Sequence, residues 1–177
     1  ISPAALDKLM SCLDTADQVV DMPDIWVLEL SSFQLVYTHT LNATAATVLN
    51  LTQDHLDWHG DMQAYAEAKS RIFGDDTVCI LNRDDSLVMS LLSEEQKTEK
   101  SVVTFGSNRP DEQGAFGIEH DLRAGGIDWL VWAEVDEDVE PKPKRRRKSA
   151  AMEEDEPLRL KRLIPADALR IRGRHNA

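Results

Sequence analysis

Cysteine is scarce in this chain of 177 residues. Cys12 and Cys79 lack any metal-ligand spacing, and Cys79 sits in an apolar run, where a buried reduced thiol is expected. A cytoplasmic location follows from that reading. Long hydrophobic runs are missing too. None approaches the roughly 20 residues that cross a bilayer, and no charged-then-apolar leader opens the sequence. Cations are outnumbered, with Lys and Arg at 20 against 32 Asp and Glu, for a formal net charge of -12. That balance disfavours a nucleic-acid partner or membrane insertion, because either anionic surface would repel the chain. It leaves phosphorylated small molecules open, since a bound Mg²⁺ reverses the local sign. The initiator Met is absent as well. A chain opening at Ile1 is expected to have lost its start or to be a piece of a longer protein. What remains is 42% hydrophobic, ordinary for one globular domain with a real core.

The apolar pattern predicts an α/β fold. Ser2-Pro3, followed by Ala5, Leu6, Leu9, Met10 and Leu13, reads as a helix with Ser2 as N-cap and Pro3 in its first turn. Residues 24–30 form a short run of β-formers and read as a buried strand. Ala45–Leu51, Thr77–Leu81 and Ser101–Phe105 read the same way, with helical patterns over Asp61–Phe73 and Asp84–Leu92 between them. Buried strands alternating with helices predict a mostly parallel sheet flanked by helices. The second half changes period. Ala115–Glu119, Ile127–Val135 and Leu158–Ile164 alternate, with Ile127, Trp129, Val131 and Ala133 on one face, and predict an appended antiparallel meander.

Between the last two segments, residues 136–156 run acidic, then basic (Lys142, Lys144 to Lys148), then acidic again. Charge this dense rarely packs, and the stretch reads as a flexible insertion. A basic run can mark nuclear import or nucleic-acid binding. Here the flanking acidic blocks oppose phosphate, and a solvated hairpin tip is the reading adopted.

Three features carry chemistry. Glu29 lies in an apolar run at a strand end, followed by Ser31 and Ser32. In open parallel sheets ligands gather at the carboxyl ends of strands, where a carboxylate suits Mg²⁺. An ion-paired or partly exposed glutamate is the plain alternative, and both stand. The second is Asn50-Leu-Thr-Gln-Asp-His-Leu-Asp-Trp-His59, which concentrates Asp54, His55, Asp57 and His59 in one loop after a strand. These residues suit ligands, bases or caps, and a turn with locally satisfied Asp and Asn is the alternative. The third is Lys69, which shares the helical stripe of Met62, Tyr65, Ala66, Ile72 and Phe73. Either it is presented to a ligand site or it snorkels outward on its own stem.

Val27-Leu-Glu-Leu-Ser-Ser-Phe-Gln-Leu35 resembles the signature of the D-glutamate-adding branch of the Mur ligase family. Asn50-Leu-Thr-Gln-Asp-His-Leu-Asp57 with Tyr65-Ala-Glu-Ala-Lys-Ser-Arg-Ile-Phe73 is similar to the metal-and-lysine segment of that family. Ile80-Leu-Asn-Arg-Asp-Asp85 and Gly173-Arg-His-Asn-Ala177 resemble further family segments in the expected order. The resemblance runs from residue 27 to the end. It implies the central, ATP-binding domain, a relative of P-loop nucleotide hydrolases, and a bacterial cytoplasmic enzyme of peptidoglycan precursor synthesis. The implied partners are ATP, D-glutamate and UDP-N-acetylmuramoyl-L-alanine.

The resemblance also implies residue roles. Glu29, His55 and Lys69 match the Mg²⁺ site, with Lys69 carrying a carbamate made from CO₂. Asn176 matches an adenine contact. Ser31 and Gln34 fall in the segment approaching the nucleotide sugar. Asn50 and Asp54 stand behind these groups as supports. The diamino-acid-adding ligase of the next step shares the 50–60 loop, whereas Glu29-Leu-Ser-Ser-Phe-Gln34 favours D-glutamate. A non-catalytic nucleotide-binding module is the rival of another class, and intact Glu29, His55 and Lys69 argue against it. No Gly-x-x-x-x-Gly-Lys-[Ser/Thr] loop occurs in these residues. The family's phosphate loop is therefore expected to precede Ser2 in a longer protein, with separate uridine-nucleotide and amino-acid domains on either side. The piece alone is expected to be inactive.

Overall fold

The computed structural model describes residues 4–13, 23–123, 125–136 and 157–169. The proposed cap at Ser2 and Pro3, the charged stretch 137–156 and the Gly173–Ala177 segment with Asn176 lie outside the described residues. The first helix, α1, spans Ala5–Leu13. A short helix α2, Ser32–Val36, precedes strand β1, Ala45–Val48. Helices α3 (Leu56–His59) and α4 (Met62–Ser70) lead to strand β2, Val78–Asn82. Helices α5 (Ser86–Met89) and α6 (Glu94–Glu99) lead to β3, Val102–Phe105. Strands β4 (Phe116–Asp121), β5 (Ile127–Val135) and β6 (Leu158–Pro165) come next, closed by a 3₁₀ turn at Ala166–Ala168.

The six strands form one sheet in chain order. β1, β2 and β3 pair in parallel, with Ala45 opposite Val78 and Cys79 opposite Val102. β4 to β6 pair antiparallel, as their alternating pattern predicts. Asp136 N–H donates to the Pro157 carbonyl at 2.7 Å beside the β5–β6 pairing. Ala46, Val48, Cys79 and Leu81 point to one face of the parallel half. Tyr65 and Phe73 from the α4 segment and Val88 and Leu92 from the α5 segment cover that face and complete the core.

One expected strand is corrected. Residues 24–30 are extended but join no ladder among the described residues, where β1 pairs only with β2. Ile25 is 79% and Val27 92% exposed, so the segment is not buried. Residue type supplies β propensity, yet a strand forms only where a neighbour accepts its backbone hydrogen bonds.

The join between the two halves is narrow. β3 and β4 share a single paired position, Phe105 with Phe116. Arg83, at the end of β2, bridges the gap. Its guanidinium donates to Thr104 Oγ1 at 3.0 Å, to the Phe116 carbonyl at 2.9 Å and to Asn108 Oδ1 at 2.9 Å. Gly117 lets the 107–110 loop close over the join, since a Cβ there would meet the Asn108 carbonyl at 2.2 Å. Replacing Arg83 by Met keeps the stem and removes the fork. Each charge-assisted bond is worth about 1.5–3 kcal/mol, so a loss of at least that size is expected in chemical denaturation. A change below about 0.5 kcal/mol, the ordinary surface value, would show that the join holds without Arg83.

Candidate functional site

The loop after β1 is held by side chains from the turn after β2. Asn82 Nδ2 donates to the Leu49 carbonyl at 2.8 Å. Asp85 Oδ2 accepts from Leu51 N–H at 2.8 Å, while its Oδ1 caps α5 through Leu87 and Val88 N–H. Leu51 is buried between these ties. The loop then turns sharply at His55, whose φ of 54° lies in the left-handed region that non-glycine residues seldom adopt. Its N–H donates to Asp54 Oδ1 at 2.9 Å, and its carbonyl accepts from Trp58 and His59 to start α3. Gly60, at φ 91°, ends that helix, and Asp61 caps α4 through Ala64 N–H at 2.8 Å. Lys69 thus sits one helix beyond His55.

The other wall comes from residues 29–34. Ser31 caps α2 by accepting from Gln34 N–H, and Gln34 Oε1 accepts from Ser31 N–H at 2.9 Å. Ser31 Oγ also donates to Gln34 Oε1 at 2.9 Å. These two candidate substrate contacts therefore also build the helix start, as a reciprocal cap.

Glu29, Ser31, Gln34, Asp54, His55 and Lys69 all line one cleft of about 350 Å³. Asn50 is exposed at the start of the loop and does not line it. A larger cleft of about 560 Å³ borders Trp132, Glu134 and Arg159 on the meander and holds none of the candidate residues. The Lys69 side chain is half-buried and borders the cleft, with Nζ 5.7 Å from the Tyr65 ring centroid.

Residue pattern alone does not assign Tyr65 or Ser32 to the cleft. The helical stripe assigns Tyr65 to the core, and it is buried, yet it lines the cleft. Burial, and then the Asp54 carboxylate, push its hydroxyl above the ordinary tyrosine range. Ser32, also lining the cleft, is 2% exposed and meets His59 Nε2 at 2.9 Å. Phe33 packs its ring near those of His55, Trp58 and His59, at 4.8, 5.0 and 5.7 Å between centroids. The Ser31-x-x-Gln34 cap is the one sequence signal for this helix.

The donor set can be tested against Mg²⁺. Among the described residues, no group of three or more His, Cys, Asp or Glu side chains is arranged to enclose a metal. The cleft offers Glu29, Asp54 and His55. Mg²⁺ commonly takes one or two protein oxygens and fills its shell with water and phosphate, so an open set of this kind fits it. His55 Nε2 lies 3.3 Å from Asp54 Oδ2. An imidazole with a carboxylate beside one ring nitrogen can offer the other to a cation.

Substituting Asp54 by Asn removes the smaller of the two causes acting on Tyr65. The Tyr65 ring should then titrate at lower pH than in the unaltered protein while staying above the ordinary value, because burial persists. NMR titration of the ring reads this directly. An unchanged midpoint would mean that Asp54 does not act on the phenol.

Residues 4–136 match the family described as "Mur ligase middle domain". A UDP-N-acetylmuramoylalanine–D-glutamate ligase of Ralstonia nicotianae is 57% identical over 178 aligned residues, covering 100% of this chain and 34% of the relative. The enzyme of that name from Cupriavidus pinatubonensis is 54% identical, with the same coverage of both chains. The chain thus spans about a third of the length of these relatives. A solved structure titled as a UDP-N-acetylmuramoyl-L-alanyl-D-glutamate–2,6-diaminopimelate ligase gives a TM-score of 0.45 at 26% identity, over 58% of this chain and 22% of that one. With its parallel strands, its cleft and a family match covering most of its length, this chain belongs to the Mur ligase family and carries its middle domain.

Proposed function

We propose that this chain is the ATP-using domain of a ligase that joins D-glutamate to UDP-N-acetylmuramoyl-L-alanine in peptidoglycan precursor synthesis, in the bacterial cytoplasm. The observation that carries the reading is the meeting of Glu29, His55 and Lys69, from three separate segments, on one cleft. The 57% identity to a relative bearing that name supports the choice of amino acid. The phosphate loop, the uridine-nucleotide domain and the amino-acid domain would belong to the rest of the protein. Adenine contact by Asn176 is part of the same reading.

In this reaction the substrate carboxylate takes the γ-phosphoryl group of ATP and becomes an acyl phosphate, with ADP released. The D-glutamate amine then attacks the carbonyl carbon, loses a proton and expels inorganic phosphate. Glu29 and His55 would hold Mg²⁺, with Asp54 orienting the His55 ring. When bound, the cation offsets the negative charge of the phosphates. Lys69 would act as a carbamate, its neutral amine adding to CO₂ with loss of a proton. That exchange puts an anion where an ammonium would repel the metal. Ser31 and Gln34, already joined in the α2 cap, would present the start of that helix toward the nucleotide sugar.

The test uses the full-length protein with ATP, D-glutamate and UDP-N-acetylmuramoyl-L-alanine, and mass spectrometry of the products. ADP and a D-glutamyl product are expected. Turnover only with the D-glutamyl product of this reaction and a diamino acid would assign the chain to the next ligase instead. Replacing Lys69 by Ala should lower kcat by about 10²–10³, the usual cost of losing one preorganised electrostatic group. A small carboxylic acid in the buffer should restore part of that loss. Lys69→Arg should fail like the alanine variant, because guanidinium forms no such carbamate, and near-normal turnover by Lys69→Arg would rule the carbamate out.

A further inference from the structure

We infer that His59 is a positioning residue, a clamp whose hydrogen bond to Ser32 sets where Glu29 and Ser31 stand in the cleft. The inference rests on the proposed ligase reaction for its kinetic part only. Its structural part starts from the short helix next to Glu29. Glu29 stands three residues before the five-residue helix α2, and Ser31 is that helix's N-cap. A helix that short has almost no stability of its own, because nucleation is unfavourable and few bonds repay it.

Contact with α3 and α4 holds α2 in place. Leu35 is 1% exposed, and Arg71 donates to the Val36 carbonyl at 3.1 Å, which fix the carboxyl end. At the amino end, Ser32 is buried at 2% exposure, and His59 Nε2 lies 2.9 Å from its hydroxyl. Which of the two donates depends on the imidazole tautomer. A buried hydroxyl stripped of its partner carries a desolvation penalty, so losing His59 favours release of this end. The His59 ring is itself wedged among Phe33, Trp58 and Tyr65, with centroids at 5.7, 4.5 and 5.1 Å. It therefore ties α2 to the same loop that turns at His55, and holds the two walls of the cleft at a fixed separation. His59 does not line the cleft, and its side-chain hydrogen bond goes to Ser32 rather than to a candidate metal ligand.

The experiment compares His59→Phe, Ser32→Ala, the double variant and His59→Gln in the full-length enzyme. Phe keeps an aromatic ring in the wedge and deletes the nitrogen. Ser32→Ala deletes one oxygen and serves if the ring change prevents folding. Two readings are taken, the split of kcat from KM and hydrogen–deuterium exchange over residues 29–37. Each single variant should lower kcat on the order of tenfold, the equivalent of one hydrogen bond, while KM for ATP moves by less than about twofold. Exchange over 29–37 should speed up on the order of tenfold, with the double variant no worse than either single one. His59→Gln should recover part of both. Multiplying effects in the double variant, or unchanged exchange at 29–37 in folded His59→Phe, would overturn the clamp. If the unaltered enzyme makes no D-glutamyl product, the functional reading fails instead, and the exchange data alone decide the clamp.

Discussion

The end of β2 and the turn that follows it tie the cleft loop to the parallel sheet and the sheet to the meander. Four consecutive side chains, Asn82 to Asp85, each reach a different piece of backbone or side chain beyond the strand. Asn82 holds the Leu49 carbonyl, and Asp85 holds Leu51 N–H, which fixes the loop leading to His55. Asp84 Oδ2 accepts from Ser107 N–H at 2.8 Å, and Arg83 spans Thr104, Asn108 and Phe116. One tetrapeptide thus secures the cleft on one side and the transition to the meander on the other. Backbone groups that no helix or strand satisfies need other partners, and here several find charged or amide side chains at 2.8–2.9 Å.

That arrangement explains how a small sheet can carry a site built largely from loops and very short helices. α2 and α3 would not persist in water. α2 is held by its capping box and by burial of Leu35, and the ring cluster around Phe33 joins it to α3. The left-handed backbone at His55 is a local cost, of order 1–3 kcal/mol. It is tolerated because the loop is anchored behind by Leu51 and ahead by α3 and the Asp61 cap. The result places His55 and Lys69 on one wall and Glu29 on the other.

Much of this is legible in the residues. The alternation at Ile127–Val135 predicts β5 at its observed bounds, and Val131 and Ala133 are fully buried on the expected face. The stripe leaves Lys69 either presented to a ligand site or snorkelling outward, and its side chain borders the cleft from α4. Residues 24–30 mislead, because β propensity says nothing about whether a neighbouring strand is there to pair. Helices α2 and α6 escape the apolar pattern although each begins with a Ser-x-x-Gln capping box, at Ser31–Gln34 and Ser93–Gln96. They are too short for periodicity to register, so only the cap chemistry marks them. The Ser32–His59 contact is not legible at all. It joins residues far apart in sequence and depends on how α2 packs, which no local pattern encodes.

The proposed ligase reading puts a divalent cation in this cleft, on Glu29 and His55. Pulsed electron paramagnetic resonance of the full-length enzyme, with Mn²⁺ in place of Mg²⁺ and ATP bound, tests it most directly. A site built on His55 gives a nitrogen hyperfine coupling from a directly bound imidazole that disappears in His55→Ala and persists in His59→Phe. A spectrum with no imidazole coupling, or one unaffected by loss of His55, would contradict it.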